Sequence, residues 1–334
     1  MRISYLLRRL LLLVLILWTA ATVNFLVPHL SPRDPVRERM VQLSTQGGHL
    51  DEGLEEMVKA YQRKFGLDQP LWKQYLRYMA DMARLDLGYS LSYYPKTVME
   101  LILERLPWTL GLLFASSVIA ALLGSLLGAL AAWPKSPRIL KYLVAPVMAS
   151  SAIPSYLFAL ILVHFLAFRL KWFPLGGGHT AGRVVMEGLT FYVDVFRHSV
   201  LPGLAIVLTA LGGWALGMRG MMITVLGEDY VFLSQAKGLY APRIFFRYGV
   251  RNALLPQVTG FGLSLAYLVS GSVLVETVFG YPGVGSLLAG AINLSDYYLM
   301  YGIVVTIILG IGFSTLILDL IYPLLDPRIS YEGR

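Results

Sequence analysis

The sequence contains no cysteine and carries little charge. The absence of cysteine from its 334 residues excludes a disulfide scaffold, thiolate metal sites and a cysteine nucleophile. Only 14% of the residues are charged, whereas an ordinary soluble domain carries about 25%. Hydrophobic residues make up 56% of the chain, and neither low-complexity segments nor fixed-period repeats are evident. This composition indicates a polytopic membrane protein.

Motifs for catalysis and for nucleotide or metal binding are also missing. The pattern G-x-x-x-x-G-K-[ST] does not occur, so the chain has no P-loop for ATP phosphates. His164, His179 and His198 are scattered without paired spacing, and we expect them to be packing or interfacial residues. The net charge of +8 does not indicate nucleic acid, because much of the positive charge lies at predicted membrane borders. We therefore predict a non-enzymatic chain with no catalytic residue, metal or cofactor of its own.

Six apolar runs are long enough to cross a bilayer, which requires about 20 residues in a helix. Basic residues precede the first run, but it is longer than a signal peptide's apolar region and lacks a clear A-x-A cleavage site, which favours an uncleaved anchor over residues 1–30. The predicted spans are 10–27, 109–133, 140–168, 199–218, 254–279 and 299–324.

The distribution of lysine and arginine predicts the orientation of these spans. With the N-terminus inside, most short-loop lysines and arginines fall in cytoplasmic segments, and the outside loop 280–298 contains none. The loop after residue 168 opposes this trend, since it contains Arg169, Lys171, Arg183 and Arg197. We expect both termini to be cytoplasmic.

Residues 31–107 are too long for a simple connection and predict an external helical insertion. Leu54, Met57, Val58 and Tyr61 repeat at helical spacing, Gly66 ends that helix, and Pro70 begins a second one. The insertion is either a cap that only packs on the membrane core, residues 108–334, or a docking surface for an external partner.

The charged segment "EDYVFLSQAKGLYAPRIFFRYGVRNALLP" interrupts the apolar pattern and predicts two short helices. Asp229 suits the N-cap of the first, Lys237 lies near its C-terminal dipole, and Gly238 fits the left-handed position after it. Pro242 suits the first position of the second helix. A capped helix that projects from a membrane protein can dock into the groove of a partner.

An arginine stripe follows in the second helix. Arg243, Arg247 and Arg251 recur every four residues, on one predicted face, while Ile244, Phe245 and Tyr248 face elsewhere. This stripe suits anionic lipid phosphates or acidic residues of a partner.

Two acidic residues occur inside predicted spans. Glu276 and Asp319 are functional candidates because an unpaired charge in hydrocarbon costs at least about 2.5 kcal/mol. Both are close to span ends, where water reaches them. For each we weigh a place on a translocation pathway against structural hydrogen bonding.

Several strings, in this order, resemble the inner-membrane permeases of ABC importers in the dipeptide, oligopeptide and nickel branch. They are "FGLDQPLWKQYLRYMADMARLDLGYS", "LPWTLGLLFASSVIAALLGSLLGALAAW", "IPSYLFALILVHFLAFRLKWFPLGG", "EDYVFLSQAKGL" with "RNALLP", "VETVFGYPGVG" and "LLDPR". The resemblance implies that the segment 227–256 carries a coupling helix that inserts into a cleft of a cytoplasmic ATPase subunit. It further implies a second permease, two ATPases that bind ATP and magnesium, an external substrate-binding protein and a prokaryotic cytoplasmic (inner) membrane.

The resemblance assigns the coupling role residue by residue. The matching residues are Asp229, Tyr230, Ala236, Lys237, Gly238, Leu239, Arg247, Arg251, Asn252, Ala253, Leu254 and Pro256. Phe232, Leu233 and Ser234 depart from the broad permease pattern, which has Glu-Ala-Ala there, and Ser234 also departs from the alanine usual in the peptide and nickel branch. The longer spacing from Gly238 to Pro256 agrees with that branch.

Peptides are the substrate class that the resemblance favours. Nickel chelates, glutathione-like compounds and oligosaccharides are the alternatives, since a separate binding protein selects the ligand. Two other classes remain open. An ion-coupled secondary transporter needs polar groups near mid-membrane or repeated halves with broken helices. A structural membrane protein needs only close packing of spans such as "GSLLGALAAW".

Overall fold

The computed structural model describes residues 3–29, 68–180, 188–266 and 272–325. These residues form helices and contain no strand beyond an isolated bridge between Tyr89 and Thr97, so the all-α prediction is confirmed in this part of the chain. The helices are α1 (Ile3–His29), α2 (Leu71–Ala83), α3 (Val98–Ala132), α4 (Arg138–Ser150), α5 (Ser155–Leu162), α6 (Leu189–Leu226), α7 (Asp229–Ala236), α8 (Ala241–Arg243), α9 (Arg251–Ala266), α10 (Val273–Val278), α11 (Val284–Asn293) and α12 (Tyr297–Leu325), with π-helical segments π1 (Val163–Arg169) and π2 (Ile244–Val250).

Four of the described helices are long and apolar enough to cross a membrane. They correspond to the first, second, fourth and sixth predicted spans, and their ranges are Leu7–Leu26, Val98–Ala132, Leu189–Leu226 and Tyr297–Ile317. A fifth is reached if α4 and the α5–π1 pair count as one. The predicted run 254–279 includes residues outside the described part and continues on either side of them as α9 and α10. A multi-pass membrane protein is therefore confirmed, whereas six spans are not.

The third predicted span is not one straight helix. The residues 140–168 are divided between α4 and α5–π1, which meet at an angle of 107°. Pro154 explains the break, because it has no backbone N–H and disfavours helical dihedral angles in Ile153 before it. Pro154 itself has ψ of 140° and stands before the first residue of α5. The apolar composition of the run concealed this break.

The second helix predicted in the insertion is confirmed as α2, which begins directly after Pro70. The predicted helix around residues 54–66 lies outside the described residues. The same holds for the segment 326–334 and for the side chain of Asp319, whose backbone belongs to α12.

One compact unit combines Met1–Pro107 with Val284–Arg334. Its apolar core is built from α3, α11 and α12 by Val98, Leu101, Ile102, Val284, Leu287, Ala291, Leu299 and Ile303. α1 packs against α12, where a Cβ on Gly312 would lie only 2.6 Å from Leu13 Cδ1. Small residues allow helices to approach this closely. Such close packing matters in a membrane because lipid is as apolar as the side chains, so there is no hydrophobic driving force between helices.

A buried carboxylate anchors a loop in this unit. Asp296 immediately precedes α12 and is fully buried. Its Oδ1 accepts a bond from the Leu299 backbone N–H at 3.1 Å, which caps the helix. Its Oδ2 accepts bonds from the Ser90 hydroxyl at 2.5 Å and the Ser92 N–H at 2.8 Å. One aspartate therefore holds both the start of α12 and the loop that precedes α3.

The other compact unit is the continuous segment Trp108–Gly283, in which α6 packs against α4, α5, π2 and α9. Gly124 and Gly128 of α3 also face α6 without side chains between the backbones. A Cβ on Gly124 would lie 2.7 Å from the Leu211 carbonyl oxygen, and one on Gly128 would overlap the Ala215 carbonyl. This small-xxx-small pair fixes the distance between α3 and α6.

Candidate functional site

The segment 227–256 contains a short helix with a well-formed C-terminal end. α7 runs from Asp229 to Ala236, Lys237 is its C-cap, and Gly238 follows with φ of +70°. The Gly238 N–H bonds the Gln235 carbonyl at 2.9 Å, and the Leu239 N–H bonds the Ser234 carbonyl at 3.2 Å. These two bonds define a Schellman motif, which satisfies the last free carbonyls of the helix. The positions predicted for Lys237 and Gly238 are thus confirmed.

The predicted N-cap is wrong by one residue. Glu228, with extended φ and ψ of −77° and 145°, is the N-cap of α7, and Asp229 is the first helical residue. The Glu228 side chain makes no capping hydrogen bond. Asp229 still lies in the first turn, where its negative charge is favourable to the helix dipole.

The two faces of α7 differ sharply in exposure. Val231 and Ser234 are buried, and the Ser234 hydroxyl donates to the Val231 carbonyl at 2.7 Å. Phe232 and Leu233 are 57% and 56% exposed. Of the other predicted residues here, Tyr230, Ala236 and Lys237 are exposed and Leu239 is half-buried. The helix is therefore held on the protein by one side and offers an apolar surface on the other.

The second predicted helix starts one residue earlier than expected and is not uniform. Tyr240 is the N-cap, Ala241 the first residue of α8, and Pro242 the second. A π-helical turn, π2, then leads directly into α9. π-helical turns are rare in proteins, and those that occur often lie at functional sites.

The predicted arginine stripe is solvent-exposed in this continuous helical stretch. Arg243, Arg247 and Arg251 are all exposed, while Ile244 and Phe245 are buried. The predicted separation of the arginines from Ile244 and Phe245 is therefore confirmed, whereas Tyr248 is only half-buried and Phe246 is exposed.

Tyr230 and Asn252 join α7 to α9. The Asn252 amide donates to the Tyr230 hydroxyl at 3.1 Å and to the Tyr248 carbonyl at 2.8 Å. The two residues are distant in sequence, yet the structure brings these two predicted coupling residues together. Ala253 is buried, Leu254 is half-buried and Pro256 is exposed within α9.

The buried side of π2 packs on α6. Phe245 belongs to an apolar cluster with Met218, Met222, Ala129 and Ala253, and its ring meets Trp133 edge-to-face at 5.2 Å. α7 also contacts π2 directly. π2 therefore lies between α7 and the closely packed side chains of α6 and α9.

Glu276 is fully buried in α10 and is hydrogen-bonded. Its Oε1 accepts a bond from the Thr109 hydroxyl at 2.9 Å. Gly283 leaves the room for this carboxylate, because a Cβ there would overlap Glu276 Oε2 and lie 2.5 Å from Thr109 Oγ1. This placement supports the hydrogen-bonding alternative for Glu276, and its place on a translocation pathway stays a prediction.

Two loops are held together next to this carboxylate. The Gly177 N–H bonds the Phe279 carbonyl at 2.8 Å, and Gly176 and Gly178 would collide with Phe279 and Pro282 if they carried side chains. Tyr281 shares a hydrogen bond of 3.0 Å with the Ser199 hydroxyl. Burial raises the pKa of Tyr281, and this hydrogen bond opposes the increase only in part. Sequence reasoning missed this contact, although the run "GGG" is a signal of close backbone approach.

No group of three or more His, Asp or Glu side chains suited to a metal ion occurs among the described residues. The predicted packing role fits His198, which is buried and bonds the Asp194 carbonyl at 2.8 Å. His164 packs on Phe165 and Phe168, and His179 lies against Phe191.

Comparison with known proteins places the chain in a family. A model described as "Binding-protein-dependent transport system inner membrane component" matches residues 99–331, and the corresponding N-terminal model matches residues 2–113. The chain is 32% identical over 331 residues to the oligopeptide transport system permease protein AppB of Bacillus subtilis strain 168, which covers 98% of this chain and 99% of that protein.

Two relatives from Escherichia coli strain K12 are also similar over nearly the whole chain. The probable D,D-dipeptide transport system permease protein DdpB is 32% identical over 337 residues, covering 96% of each chain. The glutathione transport system permease protein GsiC is 29% identical over 332 residues, covering 99% of this chain and all of that protein. The chain therefore belongs to the binding-protein-dependent transport system inner membrane components, a family of non-catalytic, multi-pass permease subunits.

Proposed function

We propose that this chain forms half of the translocation pathway of an ATP-driven peptide importer. It acts with a second permease, two cytoplasmic ATPases that bind ATP and magnesium, and an external substrate-binding protein. The observation that carries this proposal is α7, a helix with defined ends whose buried side packs on π2 and whose other side exposes Phe232 and Leu233. A short helix that exposes apolar side chains in this way suits insertion into the groove of a partner.

In the proposed mechanism, motion of the ATPases passes from α7 to α6. α7 inserts into the ATPase cleft by its exposed side. The left-handed turn at Gly238 and the bond from Asn252 to Tyr230 fix the angle between α7 and the helical stretch that follows. Phe245 then transfers the displacement to Met218 and Met222 of α6. Asp229, Ala236, Lys237, Leu239 and Pro256 complete the coupling segment, and Arg247 and Arg251 contact anionic lipid or acidic ATPase residues.

Peptides are the proposed substrate class. The relatives AppB and DdpB are named for oligopeptide and D,D-dipeptide transport, and GsiC for glutathione. Glutathione-like compounds are therefore the best-supported alternative, followed by nickel chelates and oligosaccharides. The orientation rests on the basic loops, which favour cytoplasmic termini and a cytoplasmic α7 in the inner membrane. Residues 31–107 are the proposed external insertion, and 108–334 the proposed permease core.

Reconstitution tests this assignment. The chain, its partner permease and the ATPases are placed in liposomes with the binding protein. Uptake of labelled peptides is measured with and without ATP on the side of the membrane where α7 lies. We expect uptake only when ATP and all subunits are present. Uptake by this chain alone, driven by a proton or sodium gradient, would instead identify an ion-coupled secondary transporter.

A matched pair of phenylalanines tests the docking surface. Phe232→Ser removes an exposed ring from α7, and Phe196→Ser removes a 71% exposed ring from α6. Phe232→Ser is expected to lower co-purification of the ATPases and ATP-dependent uptake, because it removes apolar area from the proposed interface. Phe196→Ser is expected to affect neither. Equal retention of the ATPases by both variants would contradict docking through α7.

A further inference from the structure

The helix α2 has no buried residue, although it is 13 residues long. Isolated helices shorter than about 12–15 residues are marginal in water. Its half-buried side reaches α1 through Tyr75 and Tyr78, whose rings lie 5.4 and 5.5 Å from that of Phe25. Tyr75 also shares a hydrogen bond of 2.8 Å with Thr22. The opposite side of α2 therefore requires an environment that the described residues do not supply.

That opposite side has a regular chemical division. Trp72, Leu76 and Ala80 recur every four residues and are exposed, Trp72 by 61% and Leu76 by 58%. Lys73 and Arg77 form a parallel exposed row directly beside them. The Lys73 ammonium lies 5.5 Å from the centre of the Trp72 ring. An apolar row with tryptophan, flanked by cations, is the pattern of helices that lie in a bilayer interface.

The contacts of α2 also fix its height relative to the membrane. The apolar span of α1 is Leu7–Leu26, so Thr22 and Phe25 lie within about 6 Å of its end at 1.5 Å per residue. The span of α12 begins at Tyr297. The Asn24 amide bonds the Tyr301 carbonyl at 3.3 Å and the Tyr78 hydroxyl at 3.2 Å, so both span ends meet at one border.

An aromatic belt marks the same border. The rings of Tyr78 and Tyr301 lie 6.3 Å apart, as do those of Tyr297 and Tyr301. Tyrosine and tryptophan concentrate where hydrocarbon gives way to headgroups, and interfacial helices sink about 5–10 Å into that boundary. The depth of the α2 contacts on α1 agrees with this range.

We propose that α2 lies in the bilayer interface, with Trp72 and Leu76 against the acyl chains and Lys73 and Arg77 at the headgroup phosphates. The bilayer is the occupant favoured over a protein because α2 contacts α1 at Thr22 and Phe25, near the end of an apolar span in which Val23 and Leu26 are exposed as well. The cations suit phosphates, which both zwitterionic and anionic lipids carry. This surface is separate from the proposed coupling role of α7.

Spin labels test the placement directly, and the cysteine-free chain needs no prior cysteine removal. Trp72→Cys, Leu76→Cys, Lys73→Cys and Arg77→Cys are labelled singly in the full chain, within the complex that it forms, in nanodiscs of phosphatidylethanolamine and phosphatidylglycerol. Collision rates with oxygen and with a water-soluble nickel chelate are measured. Ala80→Cys provides a third apolar-row position, and this variant leaves Trp72 and Leu76 intact.

We expect a higher ratio of oxygen to chelate collisions at the apolar-row positions than at positions 73 and 77. The references are Leu11→Cys, which is 67% exposed within the span of α1, and Lys135→Cys in the exposed loop between α3 and α4. Apolar-row values equal to those at position 135 would overturn the proposal in favour of a helix in water. Labels that are immobilised and reached by neither reagent would overturn it in favour of cover by protein.

Discussion

Replacing Gly238 by alanine should weaken coupling through the backbone alone. Its φ of +70° is left-handed, and a Cβ built there has no heavy atom within 4 Å. Steric conflict with neighbours is therefore excluded, and the cost is the left-handed conformation, about 1–2 kcal/mol for a residue with a Cβ. Since about 1.4 kcal/mol is a factor of ten, the population of the intact turn relative to open alternatives should fall about 5–30-fold.

Gly220 is the matched control. It is exposed in α6, has an ordinary helical φ, and a Cβ there also has no heavy atom within 4 Å. Gly220→Ala should stabilise its helix by up to about 1 kcal/mol, because alanine is the better helix former. Gly249 in π2 is less suitable, since its Cβ would lie 3.1 Å from Met222 Cε. Gly238→Ala and Gly220→Ala thus add the same methyl group, but the first makes the local backbone conformation less stable and the second makes it more stable.

The assay compares peptide uptake and ATP hydrolysis in the reconstituted complex. Gly238→Ala should lower the amount of peptide transported per ATP hydrolysed, or lower retention of the ATPases, at normal membrane insertion. Gly238→Val, with a β-branched side chain, should do so at least as strongly. Gly220→Ala should retain the original coupling ratio. If both alanine variants transport equally well at normal expression, the left-handed turn is not part of the coupling element.

Substitutions at three further contacts test the rest of the structure. Gly283→Ala should lower thermal stability in detergent by at least about 1–3 kcal/mol, because the new methyl group overlaps the Glu276 carboxylate, and an unchanged melting temperature would refute that close contact. Asp296→Ala should lower the stability by about 3 kcal/mol or more, measured in the same way, because it leaves one hydroxyl and two N–H groups without their acceptor. Asp296→Asn retains an acceptor oxygen and should lower the stability less. An equal loss of stability in both variants would contradict this account. Tyr230→Phe should loosen α7 by about 0.5–1.5 kcal/mol, seen as faster proteolysis of the segment, whereas Asn252→Ala combined with it should add little if the two share one bond.

Local patterns predicted the end of α7 but not its beginning. The Schellman motif depends on a few consecutive residues, and a glycine after a lysine is sufficient to identify it. The N-cap is the residue that adopts extended dihedral angles just before the helix, and here that residue is Glu228. Aspartate is the more common N-cap residue, so the sequence favoured Asp229. Helix ends are therefore certain from sequence only where one residue type alone fits the backbone.

Contacts between distant segments were not predictable from local patterns. Thr109 meets Glu276 across 167 residues of the chain, and Ser90 meets Asp296 across 206, and no spacing rule connects them. Hydropathy also concealed the bend before Pro154, since apolar residues predominate on both sides of it. The π-helical geometry of π2 was similarly hidden, because arginines spaced four residues apart are equally compatible with an ordinary α-helix.

The discontinuity of one unit has a consequence for biosynthesis. Trp108–Gly283 is continuous, so all of its partners are present once residue 283 has left the ribosome. The unit that contains Ser90 must wait for Asp296, because its carboxylate is the acceptor for the loop before α3. Domains generally fold in the order in which they are synthesised. A chain that stops before Asp296 therefore lacks the acceptor for Ser90 and Ser92, although residues 108–283 have all been synthesised.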